Sequence, residues 1–503
     1  METLQQIYFG FTVALQPANF IFAFLGSLAG TLVGVLPGLG PTAAMSILLP
    51  VTFGMSPTAA VIMLAGIYYG AQYGGSTTSI LVNIPGEAAS VVTCLDGYQM
   101  ARQGRAGAAL GISAFGSFIA GTIGVVGLSF LAPPLVETAL TFGPPEYFSL
   151  MCLGLTVLTF LAHGSMLKAL IMAVLGLFVG TIGMDTMVGT TQRFTFGIPE
   201  LMEGIGLVQI AMGMFGISEI LLNIEKTLKV EKLQTKIKGI FPNLDDWKKS
   251  TGAILRGTGI GFFLGILPGG GAMISSFASY AIEKRLSRYP EKFGTGVIEG
   301  VAAPESANNS AVQGAFVPMM TLGIPSNVTI ALLLGALMIH GITPGPLLMS
   351  DHPEIFWGVI CSMYLGNLML LFLNLPLIPM WVQCLRIPYP ILFPFILLFC
   401  LIGVYTINNS VFDIYMMIFF GIFGYVARKF QFEPAPFILA VVLGPMLEKA
   451  LRQSLIMSKG DFTSFVTRPI SLVILVIAMI LLLFPILPFG SKRDKIAALE
   501  EGS

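Results

Sequence analysis

Apolar residues run through this chain in stretches of roughly 17 to 25, the length that crosses a bilayer core as a helix, with short polar punctuation between them. In the first half the pattern predicts segments near 20-50 (broken), 58-95 (broken), 107-132, 146-162, 166-183 and 204-223. In the second half it predicts 253-282 (broken), 297-340 (broken), 355-376, 390-407, 411-427, 435-457 and 470-489. Gly26, Gly30, Gly34 and Gly38 recur every fourth residue and end in Leu36-Pro37-Gly38-Leu39-Gly40. Gly257, Gly261, Gly265 and Gly269 repeat this, 231 residues later, into Leu267-Pro268-Gly269-Gly270-Gly271. Seven of the fifteen positions from Gly26 to Gly40 are identical in the second copy, which marks an internal duplication. A second pair of breaks, Asn83-Ile84-Pro85-Gly86 and Gly323-Ile324-Pro325-Ser326, corresponds at an offset of 240. The fold class expected is an all-α polytopic membrane protein of two inverted repeats with broken helices and re-entrant hairpins, about 11-13 membrane segments in all.

Composition agrees with that class. Of 503 residues 55% are hydrophobic and 10% charged, which excludes an ordinary soluble domain. Lys plus Arg and Asp plus Glu are 26 each, so net charge gives no reason to expect nucleic acid, and only the placement of charge is informative. Residues 224-250, with seven lysines, four acids and Trp247, are the longest polar stretch. The expected organisation is a first membrane repeat at 1-223, a cytoplasmic connector at 224-250, a second repeat at 251-430, and C-terminal membrane segments with a polar tail at 431-503. Basic loops flank 253-282 on both sides, Lys226 to Lys249 and Lys284, Arg285, Arg288 and Lys292, so this segment is expected to enter and leave on the cytoplasmic side with arms of about 15 and 11 residues. Met1 to Asn19 and Val51 to Pro57 contain no Lys or Arg, so the first copy should enter from the other side. Beyond Arg428 and Lys429 this charge reading fails, because Lys449, Arg452, Lys459, Arg468, Lys492, Arg493 and Lys495 cannot all be cytoplasmic around two clean spans. Met1 to Gln16 lacks a basic leader and a small-residue cleavage site, so the first span is expected to stay in the mature protein.

The glycine ladders suit close helix packing, but the breaks suit chemistry. Leu-Pro-Gly-x-Gly cannot continue a helix, and unpaired backbone at membrane depth is tolerated where protein or water covers it. Helices that restart there offer free N-H groups and a positive dipole end to an anion. The expected substrate-binding residues are Gly38, Gly40, Pro41, Thr42, Gly75, Ser76, Thr77, Asn83, Pro85, Gly86, Gly269, Gly270, Gly271, Pro325, Ser326 and Asn327, with Glu87, Ser90 and Thr329 as capping side chains. The alternative for the second breaks is a plain kink. The polar run Glu305, Ser306, Asn308 and Asn309 suits a coupling ion, Na+ or H+, because an intramembrane carboxylate is costly and hydroxyl and amide oxygens suit a hard cation. The alternative places Glu305 in a surface loop. Lys168, Arg193 and Arg256 sit at predicted segment ends, where snorkelling is expected, and His163, His340 and His352 lie beside glycine, proline or loop residues. Cys94, Cys152, Cys361, Cys384 and Cys400 lack metal spacing and read as packing residues. No catalytic residue and no cofactor is expected.

The motifs Gly34-Val35-Leu36-Pro37-Gly38-Leu39-Gly40-Pro41, Tyr73-Gly74-Gly75, Asn83-Ile84-Pro85-Gly86 with Ala88 and Ala89, and Leu95-Asp96-Gly97-Tyr98 followed by Met100-Ala101-Arg102-Gln103-Gly104 carry a family likeness over nearly the whole chain. It resembles the large membrane subunit of the tripartite tricarboxylate transporters (TctA family). That resemblance implies a multi-pass permease of the bacterial inner membrane. Its partners would be a small four-span membrane subunit and a periplasmic solute-binding protein, and its role cation-coupled uptake of citrate or another di- or tricarboxylate. Two rival readings are a stand-alone organic-anion permease or channel, and an intramembrane enzyme using Glu305 or Asp96.

Overall fold

A computed structural model of the protein describes residues 2–36, 39–161, 165–185, 187–225, 239–269, 271–384 and 389–483. Pro37, Gly38, His163, Gly270, most of the connector and the tail residues Lys492, Arg493 and Lys495 lie outside the described residues. The chain begins with α1 (Glu2–Ala14) and α2 (Pro17–Val35), which carries the first ladder. After the first break α3 (Pro41–Leu48) restarts with proline at its first position, where the missing N-H costs nothing. α4 (Pro57–Val82) is capped by Ser56, whose Oγ accepts from Ala59 N. It ends at Asn83 in the left-handed conformation, φ 56°. A 3-10 turn at Ala88–Ser90 leads into α5 (Val91–Arg102), followed by the long α6 (Ala106–Ala139), α7 (Pro144–Leu161) and α8 (Met166–Gly180). A short antiparallel hairpin, β1 (Gly183–Met184) and β2 (Gln192–Arg193), precedes α9 (Leu207–Ala211), a π-helical stretch Met212–Ile217 and α10 (Ser218–Glu225).

The second half opens with α11 (Leu244–Ile266), α12 (Gly271–Leu286), α13 (Glu299–Leu322) and α14 (Val328–Ile339). Then come α15 (Leu348–Asp351), α16 (Pro353–Asn374), α17 (Ile378–Cys384), α18 (Tyr389–Asn408), α19 (Val411–Lys429), α20 (Pro434–Met457), α21 (Ser464–Thr467) and α22 (Pro469–Leu483). Seven helices among the described residues are long and apolar enough to span a membrane. The protein is therefore an all-α polytopic membrane protein. The arms of the second hairpin are longer than their charge pattern suggests, 23 and 16 residues. A capping box between Asn243 and Asp246 starts α11 inside the stretch read as connector. Arg256 consequently lies in mid-helix and not at a segment end.

The duplication is exact down to single contacts. A Cβ on Gly26, Gly30 or Gly34 would lie 2.2 to 2.4 Å from the carbonyl oxygens of Met63, Ile67 and Ala71 on α4. A Cβ on Gly257, Gly261 or Gly265 would lie 2.1 to 2.5 Å from those of Ala303, Ala307 and Ala311 on α13. The three α2 positions map onto α11 at the ladder's offset and the three α4 positions onto α13 at the second offset, so every contact pair reappears. The ladders are thus backbone-to-backbone packing surfaces, as close as helices can come. The equivalent helices α4 and α13 run antiparallel: Tyr68 stacks near Phe316 at 6.4 Å, while Ser76, eight residues on, meets Glu305, eleven residues back. Equivalent helices that oppose one another make the repeats inverted.

Around this paired core, α7, α8, α20 and α22 form one flanking group and α9, α10, α18 and α19 another. Their end contacts account for Arg452 and Arg468 among the C-terminal charges. Arg428 and Lys429, closing α19, pair with Glu219 and Glu225 on α10, and Lys168, opening α8, donates to Phe430 O at 2.8 Å. These contacts mark the basic face. α20 then runs to the opposite face, where Arg452 meets Asp185 and Glu448, and Arg468 before α22 meets Glu146 at 2.5 Å. Both arginines are neutralised there, so they no longer oppose a simple two-span path.

Candidate substrate and ion site

The site is built at the breaks. After Asn83 the chain does not continue downward; it climbs back along α4, so that Gly86 lies against Gly75 and Gly34, where a Cβ would come within 2.5 Å of Gly75 Cα and 2.1 Å of Gly34 O. Only then does the next helix start, at Glu87. The second half repeats the device. Gly323 takes the left-handed conformation at φ 71°, Ser326 Oγ returns to Ala315 O, and Asn327 caps α14 by accepting from Ile330 N at 3.0 Å. Glu87 and Asn327, equivalent by the offset, share one extended conformation (φ −147° and −154°) and the same capping role. These second breaks are re-entrant returns that place helix starts alongside α4 and α13 and not beyond their ends, and the kink reading does not describe them.

The four starts pair crosswise between repeats. Thr42 of α3 hydrogen-bonds Thr329 of α14 at 2.8 Å. Ala272 of α12 packs with Ala89 at the Glu87-capped start, against Ala311. Gly269 N donates to Ser326 O at 2.7 Å, which joins the second ladder's break to the α14 start, and Asn327 Nδ2 reaches Tyr68 OH at 3.1 Å. Over this meeting point the glycines differ in kind from the ladder glycines. A Cβ on Gly40 or Gly271 would meet nothing within 4 Å, so the restarting backbone of α3 and α12 faces open space. No Lys or Arg occurs in α2, α3, α4, α13 or α14. The mid-helix Arg256 is held bidentately by Glu283 at 2.9 and 2.7 Å, so helix N-termini are the positive groups here.

The expected residues separate accordingly. Gly40, Pro41, Thr42, Gly269, Gly271, Ser326 and Asn327 gather at the crossing. Gly75, Gly86 and the buried Pro325 pack the return segments, and Pro85 is half-buried beside them. Asn83 is exposed and sits at the turn that closes α4, ahead of the return segment. Ser76 and Thr77, with Tyr73, Ser113 and Asn374, line a cavity of about 10 Å³, room for about one water.

Glu305 is fully buried in α13 and not in a loop. Ser76 of α4 and Thr93 of α5 donate to its two carboxylate oxygens, and Asn308 Nδ2 lies 3.5 Å away. Ser306 and Asn309 turn toward α6 instead, Asn309 Nδ2 donating to Ser117 Oγ at 2.8 Å. The coupling-ion residues therefore lie on two faces of one helix. Glu87 caps as its sequence position predicts, Oε2 accepting from Ala89 N at 2.7 Å, and its Oε1 is buried with no partner. Its burial results from the return of the chain over Gly75, which no local pattern announces. His340 and His352 stand at helix ends, His340 beside Phe53 and His352 beside Glu354. All five cysteines are free, and no cluster of His, Cys, Asp and Glu able to hold a metal occurs among the described residues.

A family model for the tripartite tricarboxylate transporter TctA family matches residues 20–439. The chain belongs to that family. An uncharacterized 52.8 kDa protein in the TAR-I ttuC′ 3′ region of Agrobacterium vitis is 52% identical over 502 residues, the full length of both chains. An uncharacterized protein in the TAR-II ttuC′ 3′ region of the same organism is 52% identical over 237 residues, 47% of this chain and 98% of that one. No solved structure matches. Membership of the TctA family makes the chain a subunit of a transporter family and not of an enzyme family, and its apolar helices make it a multi-pass membrane protein.

Proposed function

We propose that this TctA-family subunit is the permease of a binding-protein-dependent secondary transporter that imports a di- or tricarboxylate, citrate-like, across the bacterial inner membrane, coupled to Na+ or H+. The observation that carries the reading is the crosswise meeting of four helix starts over open space in a region without a free fixed cation. Helix N-termini bind a carboxylate through backbone N-H groups and partial positive charge. Partial charges alone do not offset a multiply charged anion in a low-dielectric core, so a co-bound cation or proton must supply the rest. Glu305, buried among Ser76, Thr93 and Asn308 one residue from the Gly75 packing contact, is the carboxylate best placed to take it. The small four-span subunit and a periplasmic solute-binding protein would complete the system, the latter delivering substrate to the face opposite the basic one. Uptake by vesicles containing both membrane subunits tests this: it should require the binding protein and a Na+ or pH gradient, and full-rate uptake without either contradicts it. Glu305→Gln should remove the response to the gradient while the protein still inserts, measured as gradient-driven against exchange uptake of radiolabelled citrate.

A further inference from the structure

A second polar seam lies one helix face away from Glu305. Ser306, Asn309 and Gln313 are spaced three and four residues apart, so they form one stripe of α13, and that stripe faces α6. There α6 carries Gly116, Gly121 and Gly124. A Cβ at these positions would lie 3.0 Å from Ser306 Oγ, 2.7 Å from Asn367 Oδ1 of α16 and 2.9 Å from Gln313 Cβ. The three glycines thus form a cradle that side chains would fill. All four polar residues are at most 1% exposed, yet Ser306 Oγ, Asn309 Oδ1, both ends of the Gln313 amide and both ends of the Asn367 amide have no hydrogen-bond partner. Leaving a buried polar group unpaired is costly, and amides this deep in an apolar bundle are retained where something pairs with them.

The chemistry of the donors restricts what that is. Unpaired amide oxygens of Asn309, Gln313 and Asn367, from two helices, lie along the stretch Ser117 to Gly124 of α6, about two turns long, and the seam holds no carboxylate, lysine or arginine. Neutral hydroxyl and amide oxygens suit a hard cation, and without a carboxylate they do not offset the charge of a divalent one. We propose that the seam between α6, α13 and α16 binds a dehydrated Na+ through Asn309 Oδ1, Gln313 Oε1 and Asn367 Oδ1. This deepens the coupling proposed above and rests on it for its role: a site distinct from Glu305, joined to it by the contact of Asn309 Nδ2 with Asn308 Oδ1 at 2.5 Å, allows more than one positive charge to travel with a multivalent anion.

The test is thermal unfolding of the purified full-length protein titrated with NaCl, KCl or choline chloride at constant ionic strength. Na+ should raise the unfolding temperature saturably, while K+ and choline do not. Gln313→Leu and Asn367→Leu should each weaken the Na+ response by roughly tenfold or more, as loss of a metal-site group does. Gln313→Glu, which keeps an oxygen in place and adds charge, should bind Na+ at least as tightly. Absence of a Na+-specific shift in the unmodified protein, its persistence in both leucine variants, or its loss in Gln313→Glu would overturn the site and leave the seam merely hydrated. The readout needs no substrate. Failure of organic-anion uptake with the Na+ shift intact would therefore count against the transport reading alone, and intact uptake without the shift against the seam alone.

Discussion

At the scale of single residues, glycine does two opposite things in this protein. Gly261 on α11 touches the Ala307 carbonyl so closely that a methyl would lie 2.1 Å from its oxygen. Gly261→Ala should therefore cost about 1–3 kcal/mol, as overpacking does, read as a lower unfolding temperature with less inserted protein. Gly40 has ordinary extended angles, φ −67° and ψ 173°, and open space above it, so substitution there is free of both strain and clash. The spacing of the ladder made the first role legible in the sequence. The second is visible only once α3 and α14 have crossed. Glu305 was legible because a carboxylate within an apolar stretch is conspicuous. Gln313 and Asn367 were not, since Gln313 lies three residues past the polar run, Asn367 sits in an apolar stretch of α16, and what sets them along one wall is the glycines of a third helix.

At the scale of elements, the two faces are fastened by different polar clasps. On the basic side Asp96 of α5 is buried and accepts from Gly294 N, Gly296 N and Val297 N at 2.8 to 2.9 Å, and from Tyr280 OH at 2.8 Å, binding the first repeat to the loop that leads into α13. Asp96→Asn sets an amide NH2 against those donors and should destabilise by about 1–3 kcal/mol, with faster amide hydrogen exchange at residues 294–297; unchanged exchange would count against the clasp. On the opposite face burial pushes the Asp185 carboxyl up, but hydrogen bonds from Arg452, the Met187 and Val188 amides and Arg193 outweigh it and hold it well below the usual carboxylate range. A carboxyl depressed on folding contributes stability above its unfolded pKa and loses it as pH falls through the folded one. The stability gap between the protein and Asp185→Asn should thus be flat from about pH 8 to pH 5 and shrink below about pH 4, followed by thermal unfolding against pH. These pairings also explain why charge counting failed near the C-terminus. Arg452 and Arg468 are neutralised by acids more than 250 residues away in sequence, a partnership that loop charge cannot reveal.

At the scale of the whole molecule, inversion is the organising fact: α2 to α5 and α11 to α14 are one design entered from two sides. Cysteines placed at the exposed Ser56 and at Ser287, just past α12, should label from opposite sides of the membrane, and same-side labelling would contradict the inverted arrangement. The crosswise pairs, α3 with α14 and α12 with the Glu87 start, make one site from both repeats, while α7 to α10 and α18 to α22 surround it as flanking groups. Motion of the core against these flanks would carry the site between faces. Offsets in the sequence were enough to expose the duplication and, with charge, its inversion. The crossing was not legible, because it depends on return segments that reverse the chain within a few residues. The most direct test of the account is uptake by vesicles of a panel of radiolabelled di- and tricarboxylates with Gly40→Leu. The variant should insert and unfold like the unmodified protein while uptake of the cognate anion is lost; normal uptake with a leucine over the crossing would contradict a binding site formed there.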